Sequence, residues 1–210
     1  MRKFSGWIIL IIVLVIIDQA MKIWVKTNML TGQQLSVIGD WFYLYFVENP
    51  GAAFGLAIDQ PWFKPALTIL RIFIITFIVL FFIRFQRYNR CPTGIKICFS
   101  LIMAGAIGNI IDSMFYGVLF NESYPNLAEF LPEQGYAPLL YGKVVDMFYF
   151  PIIQTSYPSW VPFLGGKYFE FFRPIFNFSD SYITISMLIL IIFYRKWYKK
   201  INLRRTIVEQ

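Results

Sequence analysis

Four stretches of the chain are apolar over nearly their whole length, and mixed or polar segments separate them. Each is close to the ~20 residues that an α-helix needs to cross a hydrocarbon layer. The pattern therefore predicts an all-α membrane fold with four transmembrane helices. The predicted spans are residues 7–25, 66–83, 97–115 and 178–194.

The first predicted span resembles a secretory signal, because Arg2 and Lys3 precede its apolar run. No A-x-A-like cleavage site follows it, however, and Asp18, Gln19 and Lys22 continue the segment. We therefore predict a retained helix and not a removed signal peptide.

Lysine and arginine residues concentrate before the first span, between the second and third, and after the fourth. Since cytoplasmic loops carry the excess of positive charge, both termini are predicted to be cytoplasmic. The long connections 26–65 and 116–177 then face outward. The groups are Arg2 and Lys3, then Arg84, Arg87, Arg90 and Lys96, and finally Arg195, Lys196, Lys199, Lys200, Arg204 and Arg205.

The two outer connections have the composition of folded segments. Residues 34–38 and 41–47 are β-branched and aromatic runs around the turn dipeptide Gly39-Asp40, which predicts a hairpin. The second connection is long and rich in proline and aromatic residues, which are common at the lipid–water interface. We expect a small cap outside the membrane that rests on the bilayer.

Composition removes several classes of chemistry. The chain has no histidine, so a Ser-His-Asp triad, a Cys-His pair and an H-E-x-x-H zinc site are excluded. Its two cysteines, Cys91 and Cys98, are interpreted as reduced packing residues. The net charge of +7 is explained by membrane orientation, so we predict no nucleic-acid partner.

Acidic residues fall inside three of the predicted spans. Given the orientation, Asp18, Asp112 and Asp180 reach one depth near the outer leaflet, and Asp146 lies in the outer connection. An aspartate costs about 2.5–3.5 kcal/mol at mid-bilayer, so such residues usually face a protein interior or a cavity. A structural ion pair is the alternative, as for Asp18 and Lys22 at positions i and i+4. The convergence of four acids favours a functional site.

A close pair of carboxyl groups in a dry site holds one proton between them. One member then activates a water molecule while the other protonates the departing group. This is the hydrolytic chemistry that a chain without histidine best permits.

Five short blocks resemble those of bacterial lipoprotein signal peptidases (signal peptidase II), in the family's order and over most of the chain. They are D-Q-x-x-K at 18–22, N-x-G-A-A-F-G at 49–55, G-A-x-G-N-x-I-D at 105–112, V-V-D at 144–146 and F-N-x-x-D-S at 176–181.

The resemblance implies a single peptidase domain over residues 1–210, with four helices, an outer β-rich cradle and an extended outer loop. It also implies that the enzyme removes the signal peptide of diacylglyceryl-modified prolipoproteins, just before the lipidated cysteine. The expected location is the bacterial inner membrane, with the active site near its outer face. The expected partners are the prolipoprotein and membrane lipid, and we expect a monomer without cofactor or metal.

The resemblance also assigns roles to residues. Asp146 and Asp180 match the paired catalytic acids, a choice over Asp112 that spacing alone does not make. Asp112 becomes a buried supporting acid, and Asp18 with Lys22 a polar brace for the cradle. The residues expected along the substrate cleft are Asn49, Gly51, Asn109 and Asn177, while Gly105 serves either the substrate or helix packing.

The sequence departs from the family pattern in two respects. Ser113 stands where the family has arginine, so that cation is missing or is supplied by Lys143 or Arg173. The intervals from Asp112 to Asp146 and from Asp146 to Asp180 are longer than in the family, which is consistent with an inserted lid or docking surface.

Three rival functions remain open at this point. A proton-coupled transporter also buries carboxylates, but it usually shows internal repeats, and none is visible. A membrane scaffold would leave the acids unexplained. A serine–lysine peptidase needs no histidine, yet no serine is clearly paired with a lysine at the outer depth.

Overall fold

The computed structural model describes residues 2–51, 60, 62–86, 92–171 and 174–194. Within these residues the chain forms four helices and six strands. The helices are α1 (Arg2–Asn28), α2 (Phe63–Gln86), α3 (Thr93–Leu119) and α4 (Phe178–Phe193). The strands are β1 (Gln34–Ile38), β2 (Phe42–Asn49), β3 (Val144–Tyr149), β4 (Ile153–Ser156), β5 (Tyr168–Phe171) and β6 (Ile175–Phe176).

Three of the helices are long and apolar enough to cross a membrane. The qualifying segments are Gly6–Asn28, Phe63–Arg84 and Thr93–Leu119. The side chains that they expose are largely apolar, as is typical of helices that face lipid. Large side chains such as Ile9 (60% exposed) and Phe77 (71% exposed) therefore point away from the protein.

The first three predicted spans each lie inside one of these helices, so three membrane-length helices are confirmed. The fourth prediction coincides with α4, which is apolar but has 16 residues in the described part of the chain. At a rise of 1.5 Å per residue this is about 24 Å, less than a full bilayer core. A fourth crossing remains a prediction.

The basic residues of 87–91 and 195–210 lie outside the described residues, as does Cys91.

The chain divides into two compact units. The first contains Met1–Gln19, Pro65–Ile111 and Phe178–Gln210, and therefore most of the helical surface. The second contains Ala20–Lys64 and Asp112–Asn177, which are close to the two connections that were predicted to lie outside. The prediction of a single domain stays a prediction.

The core of the first unit lies where α3 packs on α4. Ile95, Cys98 and Ile102 of α3 are buried together with Leu190 of α4. The ring of Phe82 on α2 stacks on Phe99 of α3, with centroids 5.5 Å apart. These contacts join three helices by apolar packing.

Close approach between α3 and α4 depends on glycine. A Cβ atom added at Gly105 would overlap the backbone carbonyl oxygen of Ser179 and come within 2.9 Å of Ile183 Cγ1. Small residues let helices in membranes approach in this way. Of the two roles expected for Gly105, the structure supports helix packing.

The second unit is built on an antiparallel sheet with strand order β1-β2-β3-β6. Its first two strands are the predicted hairpin, which is confirmed with Gln34 opposite Tyr45 and Leu35 opposite Leu44. Strand β3 continues the sheet from the second connection, with Asn49 opposite Val144. Strands β4 and β5 pair with each other in a separate hairpin.

We expect Gly105→Ala to lower the stability of the protein by at least about 1–3 kcal/mol, because its methyl group would push α4 away from α3. Thermal unfolding in detergent measures the effect. Gly6→Ala is the matched control, since Gly6 is also helical and has nothing within 4 Å of an added Cβ. The control should be neutral or slightly stabilising. Equal effects of the two substitutions would contradict the packing role.

Candidate active site

Asp146 lies on β3 and is only 5% exposed. Two asparagine side chains donate hydrogen bonds to its carboxylate. Asn177 Nδ2 lies 2.7 Å from Oδ1, and Asn49 Nδ2 lies 3.2 Å from Oδ2. Asn177 Nδ2 also lies 3.3 Å from the carbonyl oxygen of Val145. The carboxylate is therefore held in one orientation from two sides.

The strand register explains how Asn49 reaches this acid. Asn49 is the last residue of β2, and Val47 on the same strand lies opposite Asp146. The amide of Gly51 then donates to Asn49 Oδ1 at 2.8 Å, which fixes the asparagine side chain. Gly51 has φ +96°, a conformation that favours glycine. The rest of this block, residues 52–55, lies outside the described residues.

Asp180 occupies the first turn of α4 and is half-buried. Asn109 of α3 donates from Nδ2 to Asp180 Oδ1 at 2.8 Å. A carboxylate in the first turn also interacts favourably with the unpaired amides of the helix N-terminus. Asp180, like Asp146, is thus held by a carboxamide.

Asp18 is fully buried on α1. Its Oδ1 accepts a hydrogen bond of 2.9 Å from the backbone amide of Ser179, one of the N-terminal amides of α4 that have no partner within the helix. Gln19 Nε2 lies 3.2 Å from Asp18 Oδ2 and 3.2 Å from the carbonyl oxygen of Gly108. Asp18 therefore supports the start of the helix that carries Asp180.

Asp112 and Lys22 form an ion pair with 0% exposure on both side chains and 2.7 Å between Oδ2 and Nζ. The amide of Val145 lies 3.4 Å from the same Oδ2. Asp112 thus contacts the residue that precedes Asp146 on β3. Removing one partner of such a buried pair usually costs about 3–5 kcal/mol.

The structure gathers the predicted residues within each unit. The second unit brings together Asp146, Asn49 and Asn177, and it joins Lys22 to Asp112. The first unit joins Asn109 to Asp180 and Asp18 to the start of α4. The expected pairing of Asp146 with Asp180 stays a prediction, as does contact of these residues with a substrate.

We expected the asparagines to line the substrate cleft, whereas their amides donate hydrogen bonds to the candidate acids. A carboxamide offers both a donor and an acceptor, so one group can hold an acid and still accept a further bond. Local spacing does not signal these contacts, because Asn109 and Asn177 each precede an aspartate by three residues but bind a different one.

A second charged cluster was missed. Lys26 of α1 is fully buried and bonds to Glu48 on β2 and to Ser123, whose hydroxyl is 2.7 Å away. Lys143 Nζ reaches the other Glu48 oxygen at 3.0 Å and Glu122 Oε2 at 3.4 Å. We call these five residues the Glu48 cluster. The sequence clue was Lys26, one helical turn beyond Lys22.

Aromatic rings enclose the two ammonium groups of the cluster. Lys26 Nζ lies 5.3 Å from the Phe120 ring centroid and 5.0 Å from that of Tyr136, and Lys143 Nζ lies 4.9 Å from Tyr136. Cations at such distances from a ring face are attracted by its quadrupole. Burial raises the pKa of the Tyr136 hydroxyl, which therefore stays protonated.

The pKa values in the cluster reflect competition between burial and charge. Burial alone would raise the pKa of Glu48, but the ammonium groups of Lys26 and Lys143 outweigh it and lower that pKa. Burial would lower the pKa of Lys143, but Glu48 and Glu122 outweigh it and raise that pKa. Both groups are therefore ionised across the neutral range.

The cluster also bears on the missing family arginine. Ser113 is buried beside Asp112, and Lys22 supplies a cation to Asp112. Lys143, one of the two suggested substitutes, bonds to Glu48 and Glu122. Arg173, the other, lies outside the described residues.

Within the described part of the chain, no three His, Cys, Asp or Glu side chains are grouped to hold a metal ion.

Comparison with known proteins gives a consistent result. A family model described as signal peptidase (SPase) II matches residues 10–196. The lipoprotein signal peptidase of Porphyromonas gingivalis is 46% identical over 186 residues, covering 88% of this chain and 80% of that protein. The lipoprotein signal peptidase of Amoebophilus asiaticus is 34% identical, covering 90% of this chain and 76% of that protein.

The fold is similar to that of solved membrane proteins. One structure, described as a bacterial membrane enzyme solved by the in meso method, superposes with a TM-score of 0.61 and 27% sequence identity. The match covers 91% of this chain and 94% of the other.

We expect Glu48→Ala to lower the free energy of unfolding by about 3–5 kcal/mol near pH 7, because it leaves Lys26 buried without its counter-charge. Chemical or thermal unfolding in detergent measures the change. Glu129→Ala is the control, since Glu129 is an exposed acid outside the cluster. A loss no larger than that of the control would contradict the role of the cluster.

The difference between wild type and Glu48→Ala should also depend on pH. The pKa of Glu48 is lowered on folding, so its contribution is present above its ordinary value of 4.5 and is lost as pH falls through the folded value. The pKa of Lys143 is raised, so its contribution is present below 10.5 and is lost as pH rises through the folded value. The two proteins should therefore converge in acid.

Proposed function

Since the chain belongs to the signal peptidase II family and is a membrane protease that removes signal peptides from prolipoproteins, we propose that Asp146 and Asp180 hydrolyse the peptide bond together. The bond cleaved is the one just before the lipid-modified cysteine. The enzyme is then an aspartic endopeptidase that needs no metal.

In this mechanism one carboxylate removes a proton from a water molecule, whose oxygen attacks the carbonyl carbon before the cysteine. The other carboxyl group, which carries a proton, gives it to the cysteine nitrogen as the carbon–nitrogen bond breaks. The products are a free carboxyl terminus on the signal peptide and a free α-amine on the lipidated cysteine. After one turnover the first acid carries the proton taken from water and the second acid is ionised. The two acids therefore exchange the roles of base and acid for the next turnover.

The single observation that best supports the pair is the fixed orientation of both acids by asparagine amides. Catalytic groups need neighbours that hold them in one geometry. The chain adds a second constraint, because Asn177, which binds Asp146, precedes Asp180 by three residues. Because consecutive Cα atoms are 3.8 Å apart, the Cα atoms of Asn177 and Asp180 lie within about 11 Å of each other.

The other acids have supporting roles in this proposal. Asp112 is neutralised by Lys22, and Asp18 holds the first turn of α4. Asn49, Gly51, Asn109 and Asn177 line the cleft, where the asparagine side chains offer donors and acceptors to the extended substrate backbone.

We further propose the arrangement in the membrane. All four helices cross, both termini are cytoplasmic and the active site lies near the outer face of the inner membrane. The sheet of the second unit forms the outer cradle, and the protein acts as a monomer in contact with membrane lipid. The distribution of lysine and arginine supports this orientation.

A proton-coupled transporter was the alternative use of buried carboxylates. The family model covers residues 10–196 and the named relatives are peptidases, so the comparisons support proteolysis and give no support to transport.

We expect Asp146→Asn and Asp180→Asn each to reduce cleavage of a lipid-modified prolipoprotein peptide by at least about 10²–10⁴-fold, because each removes one proton-transfer group. Single-turnover cleavage in detergent or nanodiscs gives the rate. Excess chelator in the wild-type assay should leave the rate unchanged.

The matched control for this test is Asp40→Asn, which makes the same change at an exposed aspartate in the turn between β1 and β2. It should retain the wild-type rate. Retained cleavage in either Asp146→Asn or Asp180→Asn would remove that residue from the mechanism, and loss of activity with chelator would refute metal independence.

The proposed orientation can be tested by labelling single cysteines in a Cys91→Ala, Cys98→Ala background with a membrane-impermeant maleimide. Gln134→Cys, in the second outer connection, should react in the absence of detergent when only the outer face is accessible. Asn89→Cys and Val208→Cys should react only after permeabilisation. Reaction of Val208→Cys from outside would mean that α4 does not return the chain to the cytoplasm.

A further inference from the structure

The hairpin of β4 and β5 carries an apolar surface that the peptidase mechanism does not use. Its two strands are joined by a long tip, residues 157–167. Three large apolar side chains of the tip are exposed: Trp160 (80%), Phe163 (96%) and Leu164 (41%). In the described part of the chain, no other large hydrophobic side chain is as exposed as that of Phe163.

The tip is an ordered structure. Tyr157 and Lys167 close it at its base, with 3.0 Å between the Tyr157 amide nitrogen and the Lys167 carbonyl oxygen. Inside, the Gly165 amide donates to the Val161 carbonyl at 2.9 Å, and the Lys167 amide donates to the Leu164 carbonyl at 2.9 Å. These bonds define a folded turn that presents the three side chains outward.

The backbone at Phe163 adds a second observation. Phe163 has φ +65°, and bulky residues rarely adopt this left-handed conformation. Glycine would fit without strain, yet the chain has phenylalanine there and places Gly165 and Gly166 nearby. Strained positions of this kind are associated with functional contacts.

The chemistry of the tip favours lipid as the occupant. Residues 157–167 contain one lysine, Lys167, and no acidic residue. Trp and Phe next to a lysine are typical of segments that enter the lipid–water interface, where the rings sit at headgroup depth and the ammonium group meets phosphate. The exposed apolar side chains of α1, α2 and α3 have the same explanation, since those helices meet lipid.

The position of the hairpin in the chain also favours lipid. Only residues 172–177 separate the end of β5 at Phe171 from the start of α4 at Phe178. The neighbouring apolar side chains Ile152 (61% exposed) and Tyr168 (62% exposed) extend the surface along the hairpin. Along the chain, the apolar hairpin is therefore followed within a few residues by a helix that is itself apolar.

We propose that the tip of the β4–β5 hairpin inserts Trp160, Phe163 and Leu164 into the headgroup region of the bilayer, with Lys167 at the lipid phosphates. The hairpin is thus a membrane anchor outside the helices. It lies in the extra length between Asp146 and Asp180.

The test uses the full-length protein in phosphatidylcholine vesicles, with Cys91→Ala and Cys98→Ala as background. An environment-sensitive fluorophore is attached to Phe163→Cys and quenched with lipid that carries a nitroxide at carbon 5 of its acyl chain. The label at Trp24→Cys on α1 gives the lipid-facing reference, and Gln134→Cys gives the loop reference. We expect quenching at Phe163 to be at least threefold that at Gln134 and at least half that at Trp24.

Quenching at Phe163 equal to that at Gln134 would overturn the proposal. Disulfide cross-linking between Phe163→Cys copies without lipid quenching would also overturn it, since a second copy of the chain would then cover the tip. The readout is independent of catalysis, so a failure of the proposed acid pair leaves this result unaffected.

A second experiment keeps the native side chains by placing the label at Ser159→Cys, an exposed position in the tip. Replacing Trp160, Phe163 and Leu164 together by serine should reduce its quenching by lipid at least twofold. Leu127→Ser with Leu139→Ser is the control, because both are exposed apolar residues outside the hairpin. An equal reduction in the control, or none in the triple variant, would overturn the role of the three side chains.

Discussion

The structure depends on donors that satisfy its carboxylates where these are buried away from water. An unpaired charge in such surroundings costs several kcal/mol, so each buried acid requires a donor held in place by the fold. The chain supplies donors of three kinds: lysines for Asp112 and Glu48, asparagine amides for Asp146 and a helix N-terminus for Asp18. The polar sites thereby fix which segments must pack together.

The acids differ in whether the donors that contact them are charged or neutral. Asp112 and Glu48 face permanent positive charge, which neutralises them and makes them parts of the scaffold. Asp146 and Asp180 face neutral amides, which orient a carboxylate without cancelling its charge or competing for its proton. These amide contacts support the proposed role of Asp146 and Asp180 in proton transfer.

The sequence predicts those features that local patterns encode. Hydropathy located the helices, and a turn dipeptide between β-branched runs located the β1–β2 hairpin. The remaining strands are short, and β2 pairs with β3 across more than 90 residues, as Asn49 does with Val144, so no local signal marks that pairing. The choice of Asp146 came from family resemblance, because spacing does not reveal that it lies on a strand. The Glu48 cluster was missed because its members come from four separate segments.

The contact between Asp18 and the amide of Ser179 also has a consequence for biogenesis. The two residues are 161 positions apart, and chains emerge from the ribosome with the N-terminal end first. Asp18 therefore enters the membrane long before its partner has been synthesised, and until then another donor, such as water, must satisfy its carboxyl group. Arrival of the last helix ends that state, so the acid's full desolvation coincides with completion of the polypeptide.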